Sequence, residues 1–339
     1  MQESLRKLSH INSQRSFAHY PSFQIVYEWE DIVSRTLGLP VSAPGEISNK
    51  WHRRFEKNGL TGLYHFLTPK CDTGLRFIMT ATTEEQCWYN RNSVPVLIDF
   101  WLEEKDLPAF YHAFRNVPLL LVTSREVYEF LLLHNCPVPI DHWALSVPDY
   151  YLERLTAPKE KKYDFCVFGR PNPFFLRLLD EYASKHPGFE YVLNEGGINN
   201  RSYVTNTGRF VTKDTGRESY LQMIAATRIS CYTTPGIDES KAETRRFNQV
   251  TPRVFEMLSN ACHVIGHYPA NPDTEWYELG GVVPNVDDYR QFESQLDKML
   301  AEPFDTDKAY SFLKRHSTSQ RARELKSILE RHGIILPEK

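Results

Sequence analysis

An arginine and a glutamate three residues apart, Arg253 and Glu256, have the types and spacing needed to hold a phosphorylated ligand. They lie just after Thr251, a predicted helix cap, and Pro252, a favoured first helical residue. The free N–H groups of a helix start and a forked guanidinium both suit a diphosphate, and a carboxylate one turn later suits vicinal hydroxyls. On spacing alone, a surface ion pair between Arg253 and Glu256 explains the pattern equally well.

A second candidate lies about eighty residues earlier, where the apolar run 165–168 ends in Gly169 and Arg170. A glycine after a strand lets the backbone approach a ligand closely, and Arg170 would add a cation there. An ordinary turn is the commoner origin of such a pattern taken alone. Its position ahead of the Arg253 segment favours a shared binding site.

Two polar stretches are further candidates for this site. Residues 234–248 form a connection longer than a plain loop requires, and Lys241 within it would add positive charge beside a leaving diphosphate. A solvated charged loop is the alternative. Residues 194–197 end another predicted strand, and Gly197 is expected to contact the ligand.

The first half of the chain offers one acidic candidate and one histidine. Asp99 ends the apolar run 94–100, where a carboxylate at a sheet edge would serve as a general base in an inverting reaction. A capping or structural role for Asp99 is the alternative. His142 stays undecided between a core and a site role.

The elements that must position these residues alternate between short apolar runs and amphipathic helical patterns, which predicts an α/β protein with parallel sheets. The predicted strands are 75–80, 94–100, 118–122, 163–168, 189–193, 229–233 and 262–265. The predicted helices are 27–37, 83–89, 103–114, 124–133, 173–186, 219–226, 252–259, 287–300 and 306–332. The basic, Pro-containing stretch 156–162 is a predicted linker. It separates an N-terminal domain, 1–155, from a C-terminal domain, 163–305, and a closing segment, 306–339, is expected to pack back toward the N-terminal domain.

The segment from Arg253 to residue 265 resembles the donor-site helix and following strand of GT-B glycosyltransferases, particularly the spore-coat maturation branch with its R-x-F-E-x-x-x-x-G pattern. His316, Thr318 and Arg321 are similar to the closing helix of that group. Two departures stand out. Asn248 replaces the first glutamate of the E-x7-E motif, and an Asn-Ala pair at 260–261 replaces the usual glycine turn.

This resemblance implies two facing Rossmann-like domains, with the nucleotide in the second. Glu256 would bind the ribose, and Arg170 and Arg253 the diphosphate. The implied activity is transfer of a sugar from a nucleoside diphosphate-sugar to a glycan, lipid-linked or small-molecule acceptor, in polysaccharide or glycoconjugate biosynthesis, with no metal and no cofactor. Asn248 leaves retention or inversion open. A sugar-nucleotide epimerase and a non-catalytic binding protein of the same fold remain alternatives. An NAD enzyme is disfavoured because no G-x-G-x-x-G follows a predicted strand.

The bulk properties agree with a globular protein of two domains. The 339 residues carry a formal net charge of −3, which argues against a dedicated nucleic-acid binder. The six cysteines form no C-x-x-C pair and are expected to be reduced. The sequence shows neither a signal peptide nor a membrane-spanning run. We therefore expect a cytoplasmic protein, with peripheral contact at the inner face of the membrane left open.

Overall fold

The chain folds into two compact units, each built around its own β-sheet. The computed structural model describes residues 6–19, 21–43, 46–67, 73–157, 159–169, 171–196, 202–239 and 247–337. The first unit comprises Met1–Pro148 with Ser317–Lys339, and the second comprises Asp149–His316. The expected α/β class, with parallel strands in both halves, is confirmed.

In the first unit, every pairing between the described strands is parallel. The strands are β1 (Arg6–Asn12), β2 (Val41–Ser42), β3 (Thr73–Thr80), β4 (Ser93–Asp99), β5 (Leu120–Val122), β6 (Ile140–His142) and β13 (Ile334–Ile335). The helices are α1 (Pro21–Leu37), α2 (Glu46–Lys57), α3 (Thr61–Leu67), α4 (Leu107–Phe114), α5 (Arg125–Leu133) and α13 (Thr318–Arg331). The sheet order is β13-β1-β3-β4-β5-β6, with β2 also paired to β1.

Local sequence explains why several of these elements form where they do. The strands β4 and β5 are almost continuously apolar and buried, as expected for parallel strands covered on both faces. The helix α5 begins after Ser124, whose hydroxyl accepts a hydrogen bond from the Val127 amide at 3.2 Å. The predicted helix at 83–89 is wrong. The described residues 81–92, between β3 and β4, form turns and bends instead.

The second unit holds a six-stranded mixed sheet. Its strands are β7 (Tyr163–Val167), β8 (Tyr191–Glu195), β9 (Ser202–Thr205), β10 (Phe210–Lys213), β11 (Thr227–Thr233) and β12 (His263–His267). Its helices are α6 (Tyr151–Thr156), α7 (Pro173–Lys185), α8 (Arg217–Ala225), α9 (Arg253–Ser259), α10 (Pro272–Trp276), α11 (Tyr289–Ala301) and α12 (Thr306–Arg315). The order is β10-β9-β8-β7-β11-β12, in which β8, β7, β11 and β12 are parallel and β9 and β10 antiparallel.

The unit boundaries differ from the domain limits expected from sequence. The stretch 156–162 does not mark the division, because α6 just before it packs on α9 and α12 inside the second unit. The predicted single helix 306–332 is two helices, α12 and α13, which are divided between the units. The end of the chain does belong to the first unit, where β13 pairs with β1 and α13 packs on α1. Within the described residues, no helix is both long enough and apolar enough to cross a bilayer.

Candidate functional site

The second unit has a topological switch point between β7 and β11. From β7 the chain moves through α7 to β8 on one side, and it later enters β11 on the other side and continues through α9 to β12. Right-handed crossovers in opposite directions place the helices that follow β7 and β11 on opposite faces of the sheet. In doubly wound folds, ligands bind at the carboxyl ends of the strands beside such a switch point.

At this point the side chain of Arg253 lies directly against the backbone of Gly169. Gly169 follows β7 with a φ of +78°, a left-handed conformation that favours glycine. A methyl group built on Gly169 would lie only 2.6 Å from Cζ of Arg253, so the absence of a side chain is what admits the guanidinium. The structure thus brings together two residues that the sequence analysis had assigned to one site.

The Arg253 guanidinium is half-buried, and the described part of the chain provides no hydrogen-bond or ion-pair partner for it. A cation at this sheet edge that lacks a carboxylate partner among the described residues is placed to pair with an external anion. The Glu256 carboxylate, on the following turn of α9, does not serve as that partner. The simple Arg253–Glu256 ion pair left open by the spacing is therefore not formed.

The carboxylate of Glu256 is instead held by α8. Arg217 donates from Nη1 to Glu256 Oε1 at 2.5 Å, and the Tyr220 hydroxyl donates to Oε2 at 2.9 Å. Glu256 is only 5% exposed, and the second Arg217 nitrogen, Nη2, donates to the Tyr151 hydroxyl. Burial, followed by the neighbouring Glu256 charge, raises the pKa of Tyr220 well above its ordinary value, which keeps this hydroxyl a donor.

This network connects Glu256 to the switch point. The Tyr220 ring makes an edge contact with Phe168, the residue before Gly169, at a centroid distance of 5.8 Å. Both carboxylate oxygens of Glu256 are already engaged in this arrangement, so a ribose contact would require them to share or exchange their donors. Sequence reasoning missed Arg217 and Tyr220, because their spacing to Glu256 is too long for any local pattern to indicate.

The start of α9 differs from the predicted cap. The helix begins at Arg253 with Pro252 in the capping position, and no side chain caps it. The Thr251 amide donates to the Tyr232 hydroxyl at 2.9 Å, which places Thr251 before the helix rather than at its cap. In the Asn-Ala turn after α9, Ala261 takes the left-handed conformation, with a φ of 51°.

Asn248, where the resembling motif has a glutamate, has a structural role. Its Oδ1 accepts a hydrogen bond from the Thr234 hydroxyl at 2.7 Å, and its carbonyl accepts one from Asn271. A side chain on Gly236 would also meet the Phe247 backbone. The two ends of the long loop 234–248 are therefore tied together beside the switch point.

A histidine that the sequence analysis did not select, His267, lies at the carboxyl end of β12. Its Nε2 is 3.0 Å from an Asp238 carboxylate oxygen, and its ring stacks on Phe174 with a centroid distance of 3.8 Å. These contacts link the end of β12 to α7 and to the loop that follows β11. The position of His267, directly after an apolar strand, was the sequence signal available for it.

The remaining predicted site residues lie in the first unit or outside the described part of the chain. Asp99 ends β4 at the carboxyl edge of the sheet in the first unit, and its role as a base remains a prediction. Arg170, Gly197 and Lys241 lie outside the described residues. The strand before Gly197 is β8, which pairs antiparallel with β9. The sequence did not predict the strand β9.

The three residues expected to form one closing helix fall on both sides of the break between α12 and α13. His316 packs among aromatic rings of the second unit, including Phe255 and Tyr277. Thr318 donates to the Val147 carbonyl, and the Arg321 carbonyl accepts from an indole N–H of the first unit. Among the described residues, no group of three or more His, Cys, Asp or Glu side chains is arranged to hold a metal ion.

Comparisons with known proteins give matches to solved structures only; no protein-family model and no curated protein matches the chain. The chain is similar to the pneumococcal O-GlcNAc transferase GtfA in complex with UDP and GlcNAc, with a TM-score of 0.49 and 10% identity. The match covers 80% of this chain and spans 59% of the GtfA chain. With the same TM-score and identity, it is similar to the UDP-GlcNAc 2-epimerase from Methanocaldococcus jannaschii and to a DNA-modifying β-glucosyltransferase. Each of these two matches covers 96% of this chain and 99% of the matched chain. At this distance, the function has to be argued from the chain's own site.

Proposed function

We propose that this chain is a glycosyltransferase that uses a nucleoside diphosphate-sugar as donor and binds the donor at the switch point of the second unit. The observation that carries the proposal is the Arg253 guanidinium, which lies on the side-chain-free backbone of Gly169 at the carboxyl end of the parallel strand β7. This geometry combines a topological switch point, a close backbone approach and a cation without an internal partner among the described residues.

In the proposed reaction, an acceptor hydroxyl attacks the anomeric carbon of the donor sugar and the nucleoside diphosphate departs. Arg253 offsets the negative charge that develops on the departing diphosphate, which lowers the barrier when the charge forms in a partly buried site. The buried Arg217–Glu256 network fixes the α9 helix that carries Arg253. Asp99 remains the proposed base for the acceptor proton.

The proposal is tested with purified protein and a panel of UDP, GDP, ADP, CDP and dTDP, first by thermal shift and then by calorimetry. We expect one of these nucleotides to bind and Arg253→Ala to weaken its binding by about tenfold or more, because a charge-assisted hydrogen bond contributes about 1.5–3 kcal/mol. The exposed Arg290, on α11 of the same unit, gives a matched control. Arg290→Ala should bind as the unaltered protein does.

Sugar nucleotides of the base that binds are then incubated with the protein, with and without acceptors, and the products are identified by mass spectrometry and NMR. Release of free nucleoside diphosphate with formation of a glycoside supports the transferase. An epimerised sugar nucleotide formed without any acceptor would replace it with the epimerase alternative. No binding of any nucleoside diphosphate would refute the proposal.

A further inference from the structure

The helices α2 and α3 of the first unit carry a concentration of exposed apolar side chains. Five of the largest exposed apolar residues of the described chain lie within seventeen positions of one another: Trp51, Leu60, Leu63, Phe66 and Leu67. Phe66 is 83% exposed and Trp51 57%. Isolated exposed apolar residues are ordinary, but such a concentration on two neighbouring helices suggests a surface that binds a partner.

The opposite sides of these helices face the body of the first unit. The Phe55 and Tyr64 rings pack against each other at 5.7 Å, which joins α2 to α3. Glu56 accepts a hydrogen bond from the Cys87 amide, and His65 contacts Glu85 at 3.0 Å. Because Leu63, Phe66 and Leu67 have i, i+3, i+4 spacing, they share the face of α3 that points away from these anchors.

The neighbouring helix α2 carries an exposed basic stripe. Lys50, Arg53, Arg54 and Lys57 follow i, i+3, i+4, i+7 spacing, so they share one face of α2, and all four are exposed. The Arg54 guanidinium also lies 5.8 Å from the Trp51 ring centroid. The stripe lies on the side of α2 opposite Phe55 and Glu56.

We propose that the α2–α3 surface, defined as these five apolar residues and four cations, docks the protein on an anionic lipid bilayer. Basic residues beside Trp, Phe and Leu on an amphipathic helical segment are the features of an interfacial membrane anchor. The cations meet anionic headgroups while the apolar side chains enter the boundary with the acyl chains. An isologous dimer formed through this surface would bring the two basic stripes together, whereas anionic headgroups complement them. This inference concerns the first unit and is independent of the proposed function.

The apolar part of the surface is tested by sedimentation with vesicles of phosphatidylcholine alone and with about one third phosphatidylglycerol. We expect the full chain to bind the anionic vesicles, and Phe66→Ser with Trp51→Ser to weaken that binding by about tenfold or more. Leu133→Ser removes another highly exposed apolar residue, on α5, and should leave binding unchanged. Unaltered binding by the Phe66/Trp51 variant would overturn the proposal.

The charged part is tested with Arg53→Glu combined with Arg54→Glu. Each lost cation should weaken anionic-vesicle binding by about fivefold at low salt, and high salt should reduce the difference. Arg323→Glu with Lys326→Glu on α13 changes the net charge equally elsewhere on the same unit and should bind normally. Equal binding to neutral and anionic vesicles would overturn the proposal. A dimer in sedimentation equilibrium that Phe66→Ser abolishes would also overturn the proposal, because the surface would then be the interface with a second copy of the chain.

Discussion

Replacing Gly169 with alanine should both strain the backbone and displace Arg253. The left-handed φ of +78° at Gly169 disfavours any L side chain by about 1–2 kcal/mol. The added methyl would also lie 2.6 Å from Arg253 Cζ, so the guanidinium must move off the sheet edge. Since a charge-assisted hydrogen bond contributes about 1.5–3 kcal/mol, we expect nucleoside diphosphate to bind about 10- to 100-fold more weakly.

Gly208 provides the matched control. Its φ of +86° is nearly the same as that of Gly169, and it lies in the same unit, but a methyl group there meets no atom within 4 Å. Gly208→Ala should therefore lower the free energy of unfolding by about 1–2 kcal/mol without changing nucleotide affinity. Both variants are compared by urea unfolding and by calorimetry with the nucleotide that binds. Equal affinities for Gly169→Ala and Gly208→Ala would refute the assignment of this contact to the binding site.

Two further predictions concern buried charges. Arg217→Met should lower the free energy of unfolding by about 3 kcal/mol, because it leaves the Glu256 carboxylate buried without its cation. The double variant Arg217→Met with Glu256→Met should lose less unfolding free energy than the two single variants lose together. Urea unfolding of all four proteins measures this coupling, and strictly additive effects would contradict it. Burial, then the charge of Arg125, lowers the pKa of His142 from 6.5 to about 4, so the unfolded chain binds the proton first as pH falls. As the pH falls from about 6.5 to 4, this histidine should lower the free energy of unfolding by about 1.4 kcal/mol per pH unit. The free energy of unfolding of His142→Gln should therefore depend less steeply on pH in this range. An unchanged pH dependence would show that His142 does not titrate as described.

The features that local sequence predicted are those that depend on neighbouring residues. The apolar runs of β4 and β5 predict buried strands because continuous apolar character suits a strand covered on both faces. Asn172 before Pro173 predicts the start of α7, and the Asn172 side chain does accept from the Phe174 amide at 2.8 Å. From such elements the α/β class and the alternation of strands and helices along the chain could be predicted.

The features that local sequence did not predict depend on partners far along the chain. The β9–β10 hairpin is short, and its mixed polar strands resemble loop sequence until β8 supplies the pairing edge. The two-residue strand β13 exists only because β1 lies beside it. Short strands of this kind gain their stability from tertiary hydrogen bonds rather than from intrinsic propensity.

The candidate site shows the same division. The sequence by itself selected Gly169, Arg253 and Glu256 as candidate site residues, because a glycine after a strand and an Arg–Glu pair at a helix start suit a nucleoside diphosphate. Only the tertiary structure decided what each one contacts. It placed the Arg253 guanidinium on the Gly169 backbone and engaged Glu256 with Arg217, 39 residues earlier. Residue type and local spacing determine which groups are available, but the packing of α8 and α9 on the sheet determines which charges meet, since that packing brings distant residues within bonding distance.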